Sequence, residues 1–406
     1  MRAHLQAREI ILLIWILVTL GLLSSCGGGT SQSTTSPLPP VTAHCASSAY
    51  FPCQQGWLGA DSAYSVDLGG GKSLWIFGDT FVGPSTATSR AQATGFVHNT
   101  RAISTCSGQN CTFQYYGGGL NGSAAGPVFS VSGSSTDWLW PMDGFVYNGT
   151  LYLALMQMHA TGGGAFGFAY SGAQLASISN YTVPPTRWTV TYQNLNTGGS
   201  AVPGASIVVA QGPNGNPDPS NRQGANYAYF FTVVPVSNAS PYMALLRLPL
   251  TQLNNTARPG NTSWEYLKTD STWGAWLDTD TILPSDNAAV INPGATEMTV
   301  RYHSATNQWI AVYPIGLDNK AHYSLSSSMT GSWGQPEDLY SYPEMQATNP
   351  NYTPNVFCYA AKEHVELETA GQMFFTYACN STQSSDVTNN MNLYRPVIVI
   401  QSLPTT

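Results

Sequence analysis

A short run of β-branched, aromatic and aliphatic residues, preceded by a turn, recurs five times in this chain, and that recurrence restricts its fold more than any other feature. The runs are Leu74-Trp75-Ile76-Phe77, Leu151-Tyr152-Leu153-Ala154-Leu155, Tyr227 to Val234, Trp309-Ile310-Ala311-Val312-Tyr313 and Met373-Phe374-Phe375-Thr376-Tyr377. They are separated by roughly 60–80 residues, a period that belongs to repeat architectures. Tryptophans stand in comparable places between them at Trp188, Trp264 and Trp333. Helical periodicity is nearly absent. Many short strands, regular turns and a repeating unit predict an all-β fold, a five-bladed β-propeller of four-stranded antiparallel blades. Two stacked β-sandwich domains are the alternative. Within the propeller, Gly69-Gly70-Gly71 is expected to turn blade one and Asn148-Gly149 to turn blade two, Asn-Gly being a strong two-residue hairpin signal.

The N-terminus reads differently. Arg2 and Arg8 precede an apolar run from Ile10 to Leu23, and Leu23-Ser24-Ser25-Cys26 follows. A bilayer-spanning helix needs about 20 apolar residues, and this run is shorter, as the apolar part of a signal peptide is. The four residues ending at Cys26 resemble the lipobox of bacterial lipoproteins, so residues 1–25 are expected to be a signal peptide and Cys26 to carry the lipid. Residues 26–44, rich in Gly, Ser, Thr and Pro, are expected to form a slack stalk. Residues 45–406 are left for the propeller. Gly27 follows the cysteine in place of the aspartate that retains many such proteins in the inner membrane. The expected location is therefore the extracytoplasmic envelope, at the outer membrane or cell surface.

The chain has seven cysteines. With Cys26 lipidated, six remain, an even number suited to an oxidising compartment. Their sequence-local couples, Cys45 with Cys53, Cys106 with Cys111 and Cys358 with Cys379, are the expected disulfides. No CxxC motif occurs, which argues against a zinc site of that kind.

Charged residues make up 9% of the chain and aromatics 12%, with a net charge of −7. The charge becomes −8 once Arg2, Arg8 and Glu9 are removed with the leader. Nucleic acid is thereby excluded as a partner. Neutral ligands such as sugars suit this composition, and a monomer is expected.

In so charge-poor a chain the placement of acids carries weight. On the propeller frame, Asp61 opens the inner strand of blade one and Asp79 follows its second strand. Asp143 opens blade two, Glu297 blade four, and Glu363, beside His364, blade five. These groups would ring one mouth of the central channel. Glycoside hydrolysis needs two carboxyl groups, one protonated to donate to the leaving oxygen and one ionised as base or nucleophile. A third acid can hold up the donor's pKa by like-charge repulsion. Trp57, Trp140, Tyr302 and Trp276 are the candidate platforms for a sugar ring. Each acid also has a plain structural reading as a turn or cap. No cofactor is expected, although a channel cation such as calcium is another use of converging carboxylates.

The segments LWIFGDTF, WPMDGF, NPGATEMTVRY with QWIAVY, and YAAKEHVEL with FFTYACN resemble the family named domain of unknown function 4185, over about Trp57 to Val399. The resemblance implies a five-bladed propeller related in architecture to arabinanases, and a glycoside hydrolase acting on a polysaccharide, with an arabinofuranose polymer as one candidate. It implies Asp61 as base or nucleophile, Asp143 as the group that tunes pKa and Glu297 as proton donor. Blade three shows no acid opening its inner strand, which departs from several relatives. A non-catalytic carbohydrate-binding lipoprotein and a surface scaffold remain the competing functions.

Overall fold

A computed structural model describes residues 50–107, 110–162, 167–196, 201–212, 214–215, 224–255, 262–277 and 282–404. The leader, Cys26, the stalk and Cys45 lie outside these residues. The chain forms five antiparallel sheets in sequence order. Blade one is β1 (Trp57–Gly69), β2 (Lys72–Val82), β4 (Thr100–Ser107) and β5 (Asn110–Tyr116), with a short extra strand β3 (Gly95–Val97) paired to the end of β2. Blade two is β6 (Asp137–Tyr147), β7 (Thr150–Ala160), β8 (Phe168–Ile178) and β9 (Thr191–Asn196). Blade three is β10 (Val202–Ala210), β11 (Tyr227–Val236), β12 (Ala239–Pro249), β13 (Glu265–Leu267) and β14 (Trp273–Ala275). Blade four is β15 (Thr299–His303), β16 (Gln308–Pro314), β17 (Lys320–Ser326) and β18 (Glu337–Ser341). Blade five is β19 (Val356–Glu363), β20 (Gln372–Ser381) and β21 (Val397–Ser402).

The fourth position of blade five is taken by the segment ahead of β1. Tyr50 bridges to Val397, and the Phe51 amide donates to the Pro396 carbonyl at 2.9 Å. The first described residues thus close the ring on the last strand.

The five recurring runs are the second strands β2, β7, β11, β16 and β20. Covered on both faces by neighbouring blades, they are buried through their central residues, while their ends are partly exposed. That is why they read as continuous apolar runs and not as alternation. Both expected turns are present. Gly69, Gly70 and Gly71 all have positive φ between β1 and β2, and Asn148 (φ 46) and Gly149 (φ 73) join β6 to β7.

The inner strands share a second repeat. Pairing with the second strand shifts register beside Ser62 in blade one, between Pro141 and Gly144 in blade two, between Pro203 and Ser206 in blade three, and between Tyr359 and Lys362 in blade five. A bulge re-aims the side chain next to it. These four bulges turn functional groups toward the channel at comparable heights.

Two of the three expected disulfides are seen whole, Cys106–Cys111 and Cys358–Cys379. Cys53 is disulfide-bonded as well, while Cys45, the partner expected for it, lies outside the described residues.

Candidate active site

Asp61 follows Gly59 and Ala60 in β1 and remains partly exposed. Its Oδ2 accepts from the Tyr359 hydroxyl at 2.8 Å and the Tyr394 hydroxyl at 3.3 Å. Across the ladder stands Gly78, where a Cβ would lie 2.4 Å from Asp61 Oδ1. The missing side chain therefore makes the room that this carboxyl occupies. Asp79 comes next, and its Oδ1 accepts from the Trp140 indole at 2.8 Å and lies 3.0 Å from His98 Nδ1. His98 stacks on Trp138, with centroids 4.4 Å apart. Phe168 packs edge-on against both Trp138 and Trp140. An aromatic wall so runs outward from Asp79.

Glu297, just ahead of β15, is ion-paired with Lys362 at 2.8 Å. Lys362 is fully buried and donates also to the carbonyls of Ser62 at 2.7 Å and Ala360 at 3.0 Å. Its ammonium lies 4.6 Å from the centre of the Tyr64 ring, a cation–π distance. Burial lowers the Lys362 pKa, with Glu297 acting the other way. Burial, then the charges of Asp79 and Glu297, push the Asp61 carboxyl up to about 8, against the opposing pull of the Tyr359 hydroxyl and Lys362. A carboxyl in that range is protonated at neutral pH.

Asp143 sits in the same ring but is consumed. It is fully buried, and Arg301 grips it with two bonds, Nη2 to Oδ1 at 3.0 Å and Nη1 to Oδ2 at 2.9 Å. The Gly144 amide, the Ser206 hydroxyl and the Ile207 amide donate to it as well. Blade three has no acid here, as the sequence indicates, and contributes Ser206.

Several expected positions are corrected. Glu363 is the last residue of β19, not its opening, because the strand begins at Val356. Glu363 Oε1 pairs with His303 Nε2 at 2.8 Å, away from Asp61. His364 lies 2.6 Å from the Ser65 hydroxyl through Nδ1 and 2.8 Å from the Thr376 hydroxyl through Nε2, so both ring nitrogens are engaged in the core. Burial drives its pKa well down, and Lys362 and Arg301 add to that. Trp57 is wholly buried, stacked on Tyr115 at 4.7 Å with its indole toward Thr100. Trp276 is wholly buried against Trp264. Neither can stack on a sugar. Tyr302 lines a cavity of about 80 Å³ near the opposite end of the channel, together with Asp67, Arg301 and Glu366, and its hydroxyl donates to Asn307 at 2.6 Å. Of the four proposed platforms only Trp140 lies beside the carboxyls, and Asp79 lies within β2 and not after it.

The site also holds residues that sequence reasoning missed: Tyr359, Lys362, Tyr394, His98 and Trp138. Lys362 alone left a signal, being a lysine in an apolar stretch of a chain with few charges.

The fold is shared with solved structures that are distant in sequence. A protein of Bacteroides ovatus provisionally designated a hydrolase superposes with a TM-score of 0.62 at 15% identity, with 86% of each chain covered. A GH43_1 enzyme from Xanthomonas citri gives a TM-score of 0.44 at 12% identity, covering 92% of this chain and 91% of the other. The xylan β-1,4-xylosidase of Bacillus halodurans gives 0.44 at 12%, covering 88% of this chain and 55% of the other. At these identities the likeness speaks for the fold alone. No curated protein matches the sequence. The family match does not name the 4185 family whose motifs the sequence resembles. Residues 46–400, nearly the whole propeller, fit the domain of unknown function DUF5005, and the chain belongs to that family.

Proposed function

We propose that this protein is a glycoside hydrolase in which Asp61 is the proton donor. The observation that carries this reading is the pairing of a carboxyl held near 8 with neighbouring carboxylates, one of them pinned by a buried lysine. Acid catalysis at a glycosidic oxygen requires that split between two environments. Tyr359 and Tyr394 occupy Asp61 Oδ2, and no hydrogen bond among the described residues occupies Oδ1, which is left to deliver the proton. Glu297 or Asp79 then serves as base or nucleophile. The resemblance to the 4185 family gives Asp61 and Glu297 the reverse roles, and the electrostatics of the site favour this order.

The substrate class is a neutral polysaccharide, with arabinofuranose polymers the first to try on the strength of that resemblance. We place the enzyme outside the cytoplasm on a lipid at Cys26, following the lipobox-like segment. The deciding experiment is product release from plant and mycobacterial polysaccharides, with wild type and Asp61→Asn side by side and folding followed by circular dichroism. Oligosaccharide release by wild type and none by a folded Asp61→Asn supports the reading. Release that survives Asp61→Asn overturns the donor assignment, and no release from any polymer overturns the hydrolase. The aromatic wall of Trp138, Trp140 and Phe168 favours sugar binding without catalysis as the second reading, tested by binding to the same panel.

A further inference from the structure

The extra strand β3 sets a second group of side chains at the rim of blade one, next to Asp79. It pairs with the end of β2, Val97 opposite Thr80 and Phe96 opposite Phe81. Side chains along a strand alternate between its faces. Val97 is buried, while Phe96 and His98 on either side of it reach solvent, Phe96 at 48% and the His98 side chain at 39% exposure. Among the described residues three large apolar side chains are exposed, and Phe96 is the aromatic one.

Phe96 is one step in a continuous arc of rings. The arc starts at Tyr394, whose hydroxyl donates to Asp61. It passes to Phe81 at 5.6 Å, to Phe96 at 4.8 Å, to His98 at 6.4 Å and to Trp138 at 4.4 Å between centroids. The surroundings of Asp61 are thereby joined to the aromatic wall beyond Asp79. Phe81 and His98 meet the Phe96 ring at 62° and 80°, so neither lies flat against it. His98 adds a polar group. Asp79 Oδ1 accepts from Trp140 and faces His98 Nδ1 at 3.0 Å. That places the imidazole proton on Nδ1 and leaves Nε2 as an acceptor in the neutral ring. No hydrogen bond among the described residues occupies Nε2. An open aromatic ring beside an unused acceptor suits a sugar unit, whose C–H face packs on the ring while a hydroxyl donates to the nitrogen. Phe81 and Tyr394 stand between Phe96 and Asp61, and His98 stands between Phe96 and Asp79. A unit seated on Phe96 is therefore not the one whose bond lies at Asp61.

We propose that Phe96 and His98 form a second sugar subsite on β3, which holds a further unit of the same neutral polysaccharide that is cleaved at Asp61. The proposal rests on the glycoside-hydrolase reading of that site. The chain then crosses the rim of blade one, and substrates of several units bind better than short ones.

The test is affinity electrophoresis of the full chain, purified in detergent, through native gels cast with arabinan, xylan or galactan. Asp61→Asn serves as the host, so that no polymer is consumed. The host is expected to be retarded in one of these gels. Adding Phe96→Ala is expected to weaken Kd about three- to tenfold, the share of one aromatic contact, while Phe96→Trp keeps the affinity. His98→Phe retains a ring on Trp138 but removes the acceptor, and is expected to weaken binding as well. Phe96 is exposed, so its variants are expected to fold, which circular dichroism checks. The proposal falls if no gel retards the host, or if folded Phe96→Ala is retarded as strongly as the host. Product release by wild type judges the hydrolase separately. Release with Phe96→Ala binding unimpaired sinks the subsite alone. Retardation lost in Phe96→Ala, without release by wild type, sinks the hydrolase and keeps the subsite.

Discussion

Asp61 and Asp143 stand beside corresponding bulges of neighbouring inner strands, yet their surroundings give them opposite roles. Asp143 is fully buried and has both oxygens filled, by Arg301 in two bonds and by Gly144, Ser206 and Ile207. Asp61 meets two tyrosine hydroxyls and the fields of two further acids, and is partly open to the channel. A repeated backbone decides where a carboxyl is set. The neighbouring blades decide whether that carboxyl can exchange a proton or is locked as one half of an ion pair.

The contrast can be broken most directly at Asp61. Asp61→Asn is expected to lower kcat/KM on the responsive polysaccharide by about 10²–10⁴, the usual share of a general acid. The same change should not lower stability at neutral pH. The unfolded carboxyl titrates near 3.8 and the folded one near 8, so between those values the folded state holds a proton that the unfolded state lacks. The Asp61 contribution therefore falls as pH rises through that window, and asparagine abolishes the dependence. Thermal melts from pH 4 to 9 should show the variant gaining on wild type toward the alkaline end. A wild-type curve parallel to the variant's would show that Asp61 is not held protonated.

Arg301→Ala tests the other half. Removing one partner of a buried ion pair costs about 3–5 kcal/mol, and denaturant melts should show a loss of that size. A loss below about 1 kcal/mol would mean that Asp143 is not locked as described. Gly78→Ala keeps every charged group but puts a methyl where Asp61 Oδ1 lies. Misplacing a reacting group by about 1 Å can cost about 10² in rate, and a fall in kcat toward that size is expected from a protein that still folds. With Glu297 as the base, the mildest test is Asp79→Asn. With one of the charges that raise Asp61 removed, the alkaline limb of the pH–rate profile should move to lower pH. An unmoved limb would assign that limb to another group.

The fold was legible because its signal is simple. Five buried second strands appear as five apolar runs, and Asn148-Gly149 announces its hairpin without help from the rest of the chain. Asp61, Asp79 and Glu297 were also legible, being acids at repeated places in a chain with few charges. The roles were not. What separates Asp61 from Asp143 is the company of Tyr359 and Tyr394 on one side and Arg301 on the other, residues more than 150 positions away from the acids they serve. Trp57 and Trp276 misled for a related reason. An aromatic ring that fills a blade interior and one that faces a channel look alike in sequence, and only the packing against Tyr115 or Trp264 tells them apart.

The clasp between Tyr50 and Val397 has a bearing on how the ring comes together. The two disulfides seen whole each staple a hairpin inside one blade, Cys106–Cys111 joining β4 to β5 and Cys358–Cys379 joining β19 to β20. Neither bridges the seam, where the Tyr50 bridge, the bond from Phe51 to Pro396 and the bond from Arg395 to the Phe51 carbonyl meet. Those contacts join the two ends of the described chain, so the circle stays open until the final strand has been made and delivered. Four blades can assemble during that interval, each on local pairings, while blade five waits for β21. Oxidation stiffens the segments, and the circle itself is fastened by contacts that come apart and re-form without breaking a covalent bond.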